Sequence, residues 1–263
     1  IVKTAEDFGS QGERPSHPQL LDWLATEFIQ TDWDIKRMVR LLVTSATYKQ
    51  TANVTDQMLD KDPDNRLYAR GPRYRLDAEM IRDQALAVSG LLHQKIGGPS
   101  VKPPQPDGLW HAVAYTDSNT ARFVQDEGKD KVHRRSLYTF WKRTSPPPQM
   151  AIMDAPSREV CTIRRERTNT PLQALMLMND PQFLEAARAL AERILKEGGS
   201  TIQEQLAFGF ELATARLPDE REISILQSTL ENHLSQFQSD PESAQQLIKI
   251  GESMANESIE TTK

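Results

Sequence analysis

The sequence predicts a mainly α-helical protein, a multi-helix orthogonal or bundle-like domain with a long irregular central loop region. Apolar residues recur at intervals of three and four, the spacing that makes one face of a helix apolar. The clearest run is Ala78, Ile81, Ala85, Val88 and Leu92. Clusters of proline and glycine interrupt such runs between residues 93 and 132. With 263 residues, 38% of them hydrophobic, the chain can bury a sizeable core.

Residues 1–92 carry the start signals of the N-terminal helices. Ser16 precedes a histidine and a proline, a pattern that predicts a capping hydroxyl and a proline in the first turn. Asp32 or Asp34 is the predicted cap of a second helix, which would form a hairpin with the first. Asp77 is predicted to cap the helix of the apolar run that begins at the next residue.

Residues 93–170 predict an irregular hub that is rich in arginine and aromatic side chains. Short elements are expected at most around residues 109–115, and Pro146-Pro147-Pro148 predicts an extended spacer. The single cysteine, Cys161, excludes a disulfide within the chain. We expect its side chain to be a small buried hydrophobic group.

Residues 171–263 predict the C-terminal helices. Two capping-box patterns, Thr170 to Gln173 and Ser200 to Gln203, each open a helix. A glycine pair at 198–199 stops the helix before the second box. Three further starts are marked by an acidic residue or a proline: Asp180, Pro218 and Asp240.

Composition and charge exclude several classes of protein. The formal net charge is −5, so we predict no binding to nucleic acid through bulk positive charge. Charge is uneven, with 11 basic and 6 acidic residues over 120–170 but 7 basic and 14 acidic residues over 183–263. No stretch approaches the length of about 20 apolar residues that a membrane span needs. The five histidines are scattered, which predicts no metal site.

Four arginines surround the cysteine: Arg158, Arg164, Arg165 and Arg167. Guanidinium groups suit carboxylate, sulfate or phosphate, so one hypothesis is an anion site. The other is a structural network in which nearby acids neutralise the arginines. Those acids would be Asp154, Glu159 and Glu166, or Asp77, Glu79 and Asp83 on the flanking helix. We favour the network.

Aromatic and polar residues near the arginines complete the candidate ligand site. Tyr138, Phe140 and Trp141, with Trp110 and Tyr115 earlier in the chain, would provide a platform on which a sugar ring stacks, or would be anchors of the core, which we favour. His133 and Asp154 with Cys161 are the one combination that resembles a nucleophilic Cys/His/Asp set, but their spacing matches no known signature. The catalytic residues, if there are any, stay unknown.

Several long phrases carry a family resemblance. They are GSQGERPSHPQLLDWLA, LLVTSATYKQ, RLDAEMIRDQALAVSGLL, KIGGPSV, SLYTFWKR, APSREVC, RRERTNTPLQAL and NDPQF. Together they resemble the planctomycete cytochrome-C-associated domain of unknown function, the C-terminal domain of large exported proteins with a haem-binding domain. The resemblance implies one family domain over residues 1–263, truncated at both ends. It also implies an exported protein, periplasmic or at the cell surface.

The resemblance implies partners rather than a reaction. Haem would reside in a separate domain of the same polypeptide, with no cofactor in this segment. The partners would be that haem domain, a companion domain and a polysaccharide. We therefore expect an accessory module that aids polysaccharide or partner binding. The alternative is the catalytic part of a carbohydrate-degrading or haem-linked redox enzyme, which would use acids such as Asp77, Glu79, Asp83 or Asp154.

Overall fold

The computed structural model of the chain describes residues 1–7, 9–115, 118 and 120–256. About half of the chain is helical and the described residues form no sheet, so the predicted mainly α class is confirmed. Short 3₁₀ helices lie at Gly9–Gln11 and Ser136–Tyr138. The α-helices in chain order are α1 (Pro18–Gln30), α2 (Ile35–Thr44), α3 (Asp56–Lys61), α4 (Ala78–Val88), α5 (Leu109–Ala112), α6 (Lys129–Val132), α7 (Pro148–Ile152), α8 (Pro171–Asn179), α9 (Pro181–Glu197), α10 (Ile202–Thr214), α11 (Glu220–Ser239) and α12 (Pro241–Ile248).

The chain forms two compact units. The N-terminal unit comprises Ile1–Arg75 and Cys161–Arg165 and contains α1 to α3. The main unit comprises Leu76–Val160 and Glu166–Lys263 and contains α4 to α12. All the fully buried apolar side chains among the described residues belong to the main unit.

Local capping decides where the N-terminal helices begin. Asp34, one of the two predicted caps, accepts the backbone N–H of Arg37 at 3.0 Å at the start of α2. The predicted cap of α1 is wrong by one residue, because His17 occupies the cap position. The hydroxyl of Ser16 instead lies 3.0 Å from Nδ1 of His17 and donates to the carbonyl of Ile1.

A polar loop after α3 supplies the buried residues of the N-terminal unit. The carboxylate of Asp62 accepts the backbone N–H groups of Arg66 and Leu67, each at 2.8 Å. The guanidinium of Arg70 donates to the carbonyls of Asp62 and Pro63, again at 2.8 Å. These contacts fix a turn that has no ladder or helix to satisfy its backbone.

The core of the main unit is a cluster of methionines under α4, α7 and α8. Met150 and Met153 are 2% and 3% exposed and pack with Ala78 and Met176. Trp141 and Phe183 cover the cluster from outside. Helix α9 then packs against α4, α8, α10 and α12, so it connects this core to the C-terminal helices.

The C-terminal helix starts follow their sequence signals closely. Thr170 and Gln173 form the predicted capping box, and Asp180 and Asp240 cap α9 and α12. The second box is shifted by one residue, to Thr201 with Glu204.

Two capping-box patterns one residue apart fit the start of α10, Ser200 with Gln203 and Thr201 with Glu204. The chain uses the second, in which the acceptor is the charged carboxylate of Glu204. Glu204 accepts the backbone N–H groups of both Ser200 and Thr201, and those bonds lower its pKa.

Helix α4 is shorter than predicted, and the face that it buries differs from the predicted apolar face. It ends at Val88 rather than Leu92, because Gly90 takes φ 79° and lets the N–H of Leu91 return to the carbonyl of Leu86. The buried residues of α4 are Ala78, Arg82 and Leu86. They form a row with a spacing of four that includes a charged residue.

The triple proline does not continue as an extended spacer. Pro147 is the cap of α7 and Pro148 is its first residue, where a missing N–H costs no hydrogen bond. The prediction of a spacer is wrong here because the following residues, starting at Gln149, are buried and form a turn of helix.

Truncating Met150 to alanine should destabilise the main unit by about 2–5 kcal/mol, because it leaves a cavity in the methionine cluster. Met178, on α8, is 68% exposed, so Met178→Ala should change stability by less than about 0.5 kcal/mol. Denaturant unfolding followed by helical circular dichroism compares the two variants. Equal midpoints would contradict the assignment of this cluster as the core.

Candidate functional site

A buried arginine on α4 lies at the centre of the irregular region of the main unit. Arg82 is 3% exposed, and its guanidinium donates to the carbonyls of Val132 and Arg134 at 2.7 and 2.9 Å. It also donates to the hydroxyl of Ser136 and to the side-chain oxygen of Gln182 on α9. We call these five residues the Arg82 cluster. Through the side chain of Arg82, the cluster joins α4 to three other parts of the unit. These are the end of α6, the segment that follows α6, and α9.

Burial makes the charge of Arg82 expensive, and two carboxylates partly offset that cost. Desolvation lowers the pKa of Arg82 to about 10, against the opposing effect of Asp83 and Asp180. Asp83 lies 3.9 Å from the guanidinium and accepts the backbone N–H of Ser136 at 2.7 Å. The guanidinium therefore stays protonated at neutral pH, and it donates to two backbone carbonyls and two side-chain oxygens.

A second buried contact joins the predicted site residue His133 to α9. Nε2 of His133 lies 3.1 Å from Oε1 of Glu185, and both side chains are 3–4% exposed. The backbone N–H of Ser253 donates to the same oxygen at 2.7 Å. Burial raises the pKa of Glu185, but the contacts with His133 and Ser253 outweigh it, and the pKa falls to about 2.

The four arginines around Cys161 are divided between the two units. Arg158 lies 3.6 Å from Glu79, and Arg167 lies 3.2 Å from Asp77, at the start of α4. Arg164 and Arg165 belong to the N-terminal unit. The two pairs of the main unit follow the structural network that we favoured over an anion site.

Asp154 is bound by the segment that leads into α8. Its carboxylate accepts the backbone N–H of Thr168 at 2.7 Å and the Thr168 hydroxyl at 2.9 Å. Gln173, which is 3% exposed, donates to Asp154 and to the carbonyl of Ile152. Gln173 also closes the capping box of α8, so one side chain fixes both the loop and the helix start.

His133 and Asp154, two members of the predicted Cys/His/Asp nucleophile set, each bind another group of the main unit. His133 is in contact with Glu185, and Asp154 is in contact with Thr168. Cys161 is exposed, so its predicted burial is wrong. The apolar residues beside it are exposed as well, Val160 at 73% and Ile163 at 60%, so this short segment lies at the surface as a whole.

Two aromatic residues of the predicted platform, Tyr138 and Trp141, carry a guanidinium on the ring face. The Arg134 guanidinium carbon lies 3.8 Å from the ring centre of Tyr138, and that of Arg158 lies 4.5 Å from the ring centre of Trp141. Nε1 of Trp141 donates to the carbonyl of Ser157. A sugar would therefore find at most one free face on each ring.

Sequence reasoning missed the two residues that organise this region, Arg82 and Glu185. Neither residue is among the site residues predicted from the sequence. A signal for Arg82 exists, because Ala78 and Leu86 flank it at a spacing of four and mark a buried row. Its partners are 50 to 100 residues away, so the pairing itself has no local signal.

Two further features limit the chemistry of the described residues. They contain no group of three or more His, Cys, Asp or Glu side chains placed to hold a metal ion. None of their helices has both the length and the apolar character that crossing a membrane requires. What the structure defines is a helical domain whose buried charges are bound to its own backbone and side chains.

Comparison with known protein families assigns this chain to a family. Residues 1–230 match the family model described as PSD1, protein of unknown function (DUF1553), and the chain belongs to that family. Comparisons with the curated proteins and with the solved structures gave no match. The predicted domain of unknown function is therefore confirmed, whereas its planctomycete and cytochrome associations stay predictions.

Replacing Arg82 by lysine should destabilise the main unit by about 3 kcal/mol or more, because an ammonium cannot reach both carbonyls and the amide of Gln182. Arg221→Lys is the matched control on the exposed surface of α11. Chemical denaturation measures both variants. An Arg82→Lys midpoint equal to that of Arg221→Lys would show that the cluster contributes nothing to stability.

Stability should fall in acid through Glu185. Its pKa is about 2 in the folded protein and 4.5 in the unfolded chain, so ionised Glu185 stabilises the fold above pH 4.5 and loses that effect as the pH falls toward 2. The loss amounts to about 3 kcal/mol.

Urea unfolding between pH 2 and pH 6 measures this dependence. Glu185→Gln should flatten the slope of the unfolding free energy against pH, whereas the exposed control Glu127→Gln should keep the wild-type slope. The same slope in both variants would assign the acid sensitivity to other carboxylates.

Proposed function

We propose that this protein is a non-catalytic accessory module that binds other domains of a larger exported polypeptide through its N-terminal unit. Those domains would be the haem domain and the companion domain that the family resemblance implies. The observation that carries the proposal is an apolar groove in the N-terminal unit. The localisation of the protein, its export and its association with a haem domain rest on the family resemblance alone.

The groove is built by matching stripes on two helices. It has a volume of about 1460 Å³ and is lined by α1, α2, α3 and the chain from Pro63 to Tyr74. Leu20, Trp23 and Leu24 on α1 repeat at intervals of three and four. Val39, Leu42 and Val43 on α2 do the same. Such stripes are the pattern by which helices bind an apolar partner segment.

The lining residues are exposed although they are large and apolar. Trp23 and Val39 are each 51% exposed, and Leu42 is 45% exposed. The buried side chains of this unit are polar, Asp62 and Arg70, and none of its described apolar side chains is fully buried. A contiguous apolar face of this kind marks an interaction surface.

The carboxylates proposed for catalysis already have partners. Asp77 and Glu79 contact Arg167 and Arg158, as described above. Asp83 accepts the backbone N–H of Ser136, and Asp154 is bound by Thr168. A glycosidase needs two carboxyl groups free to act on either side of the scissile bond. This pairing supports the accessory function over the enzymatic alternative.

Polysaccharide binding has less support than domain binding. Two rings of the predicted sugar platform, those of Tyr138 and Trp141, are each covered on one face by a guanidinium. A sugar ring can stack only on a ring face that is not covered. The proposal therefore rests on the groove, with the polysaccharide as a ligand of the assembled polypeptide.

Apolar-to-serine changes in the groove should weaken binding to the haem and companion domains. Val39→Ser with Leu42→Ser should reduce affinity at least about tenfold, because each change removes apolar area that the partner covers. Ile29→Ser with Ile35→Ser is the matched control, since both residues are more than half exposed and lie outside the groove.

Titration calorimetry with separately produced haem and companion domains measures the affinity. Equal weakening in both double variants would show that general hydrophobicity, not the groove, drives binding. No binding to either domain by the wild-type chain would overturn the proposed partner.

A further inference from the structure

A separate cavity in the main unit is bordered by α9, the end of α4 and the start of α6. It has a volume of about 380 Å³, which is within the range of small-molecule sites. Four cationic side chains and two carboxylates line it: Lys129, Arg188, Arg193, Lys196, Glu192 and Glu197. The lining therefore has a formal charge of +2 in a chain whose net charge is −5.

The geometry of α9 places three of these groups along one side of the helix. Arg188, Glu192 and Lys196 follow one another at intervals of four residues. Arg188 is held in place because it donates to the carbonyls of Ile248 and Ser253 at 2.7 and 2.6 Å. This wall of the cavity is therefore fixed before any ligand arrives.

The two carboxylates are committed to protein groups. Glu197 binds the guanidinium of Arg193 at 2.9 Å. Glu192 accepts the backbone N–H of Asn256 at 3.3 Å and lies 3.9 Å from Nε of Arg188. Neither carboxylate is within ion-pair distance of a lysine ammonium.

Among the described residues, part of the positive charge in the cavity has no carboxylate as a counter-charge. In the part of the chain that the structure describes, neither Lys129 nor Lys196 has a carboxylate within 4.0 Å. Nε of Arg188 is buried and has no hydrogen-bond partner among the described residues. A fixed guanidinium beside two uncompensated ammonium groups is an arrangement that attracts an anion.

We propose that this cavity binds the oxyanion group of a sulfate or phosphate ester. Lys129 and Lys196 are mobile point charges that contact the oxyanion, and Arg193 supplies planar donors at the rim. Arg188 fixes the side of the cavity that α9 forms, through its hydrogen bonds to the carbonyls of Ile248 and Ser253. The site lies outside the docking groove and does not depend on the proposed function. A sulfated sugar and a phosphorylated sugar share the required chemistry.

The test uses the whole chain and two double variants with the same change in charge. Titration calorimetry at constant ionic strength follows inorganic sulfate, inorganic phosphate, glucose 6-sulfate, glucose 6-phosphate and neutral glucose. We expect both ester sugars to bind and glucose not to bind. Lys129→Gln with Lys196→Gln should weaken ester binding at least about tenfold, because two charge-assisted contacts are lost.

Lys95→Gln with Lys249→Gln is the control, because both lysines are exposed and lie outside the cavity. It should bind the esters as the wild type does. Tighter binding of one ester than of the other would support the site and would show whether it prefers a sulfate ester or a phosphate ester. Equal weakening in both double variants, or no binding of any oxyanion by the wild type, would overturn the proposal. All four substituted lysines are exposed, so thermal unfolding should confirm an unchanged fold.

Discussion

The main unit depends on the hydrogen bonds between the Arg82 guanidinium and backbone carbonyls. Val132 is the last residue of α6 and Arg134 lies between α6 and the 3₁₀ helix Ser136–Tyr138, so no continuing helix or sheet ladder satisfies their carbonyl groups. A buried carbonyl without a partner is costly. Arg82 donates to the carbonyls of Val132 and Arg134 and so replaces a ladder with a single side chain. Helix α4 and this segment are consequently ordered together.

The same device recurs elsewhere in the chain. Arg134 donates to the carbonyls of Lys95, Gly97 and Pro99, which holds the glycine-rich loop of the irregular region. Arg70 and Arg188 each bind two carbonyls in their own units. Arginine is thus used to order loops, because its fork can reach two acceptors at once. Arg158 and Arg167, which pair with acids, are 40% and 36% exposed, so solvent screens these pairs and they contribute much less.

Local signals in the sequence predicted most of the helices, whereas the contacts that hold the site together could not be predicted. Thr170, Asp180 and Asp240 cap helices within a few residues of themselves, so the pattern contains all the information needed. Arg82 binds residues 50 to 100 positions away, and its sequence neighbours carry no trace of them. The start of α10 was misplaced because two registers fit one pattern. Arg158 and Arg167 pair with Glu79 and Asp77, which belong to one of the two sets of acids that the sequence left open, since opposite charges on flanking segments restrict the choice of partner.

The two units bury opposite kinds of side chain, and this contrast carries the functional argument. In the main unit an apolar cluster is buried, and buried charged groups such as Arg82 and Glu185 are bound within the unit. In the N-terminal unit the helices are set by caps and a polar loop, while the apolar stripes of α1 and α2 are exposed. Covering one half-exposed Leu42 or Val39 side chain gains on the order of 1 kcal/mol, and the groove offers many such side chains together. A surface of this type gains most from a preformed apolar partner, and this is the physical basis of the docking function that we propose for the N-terminal unit.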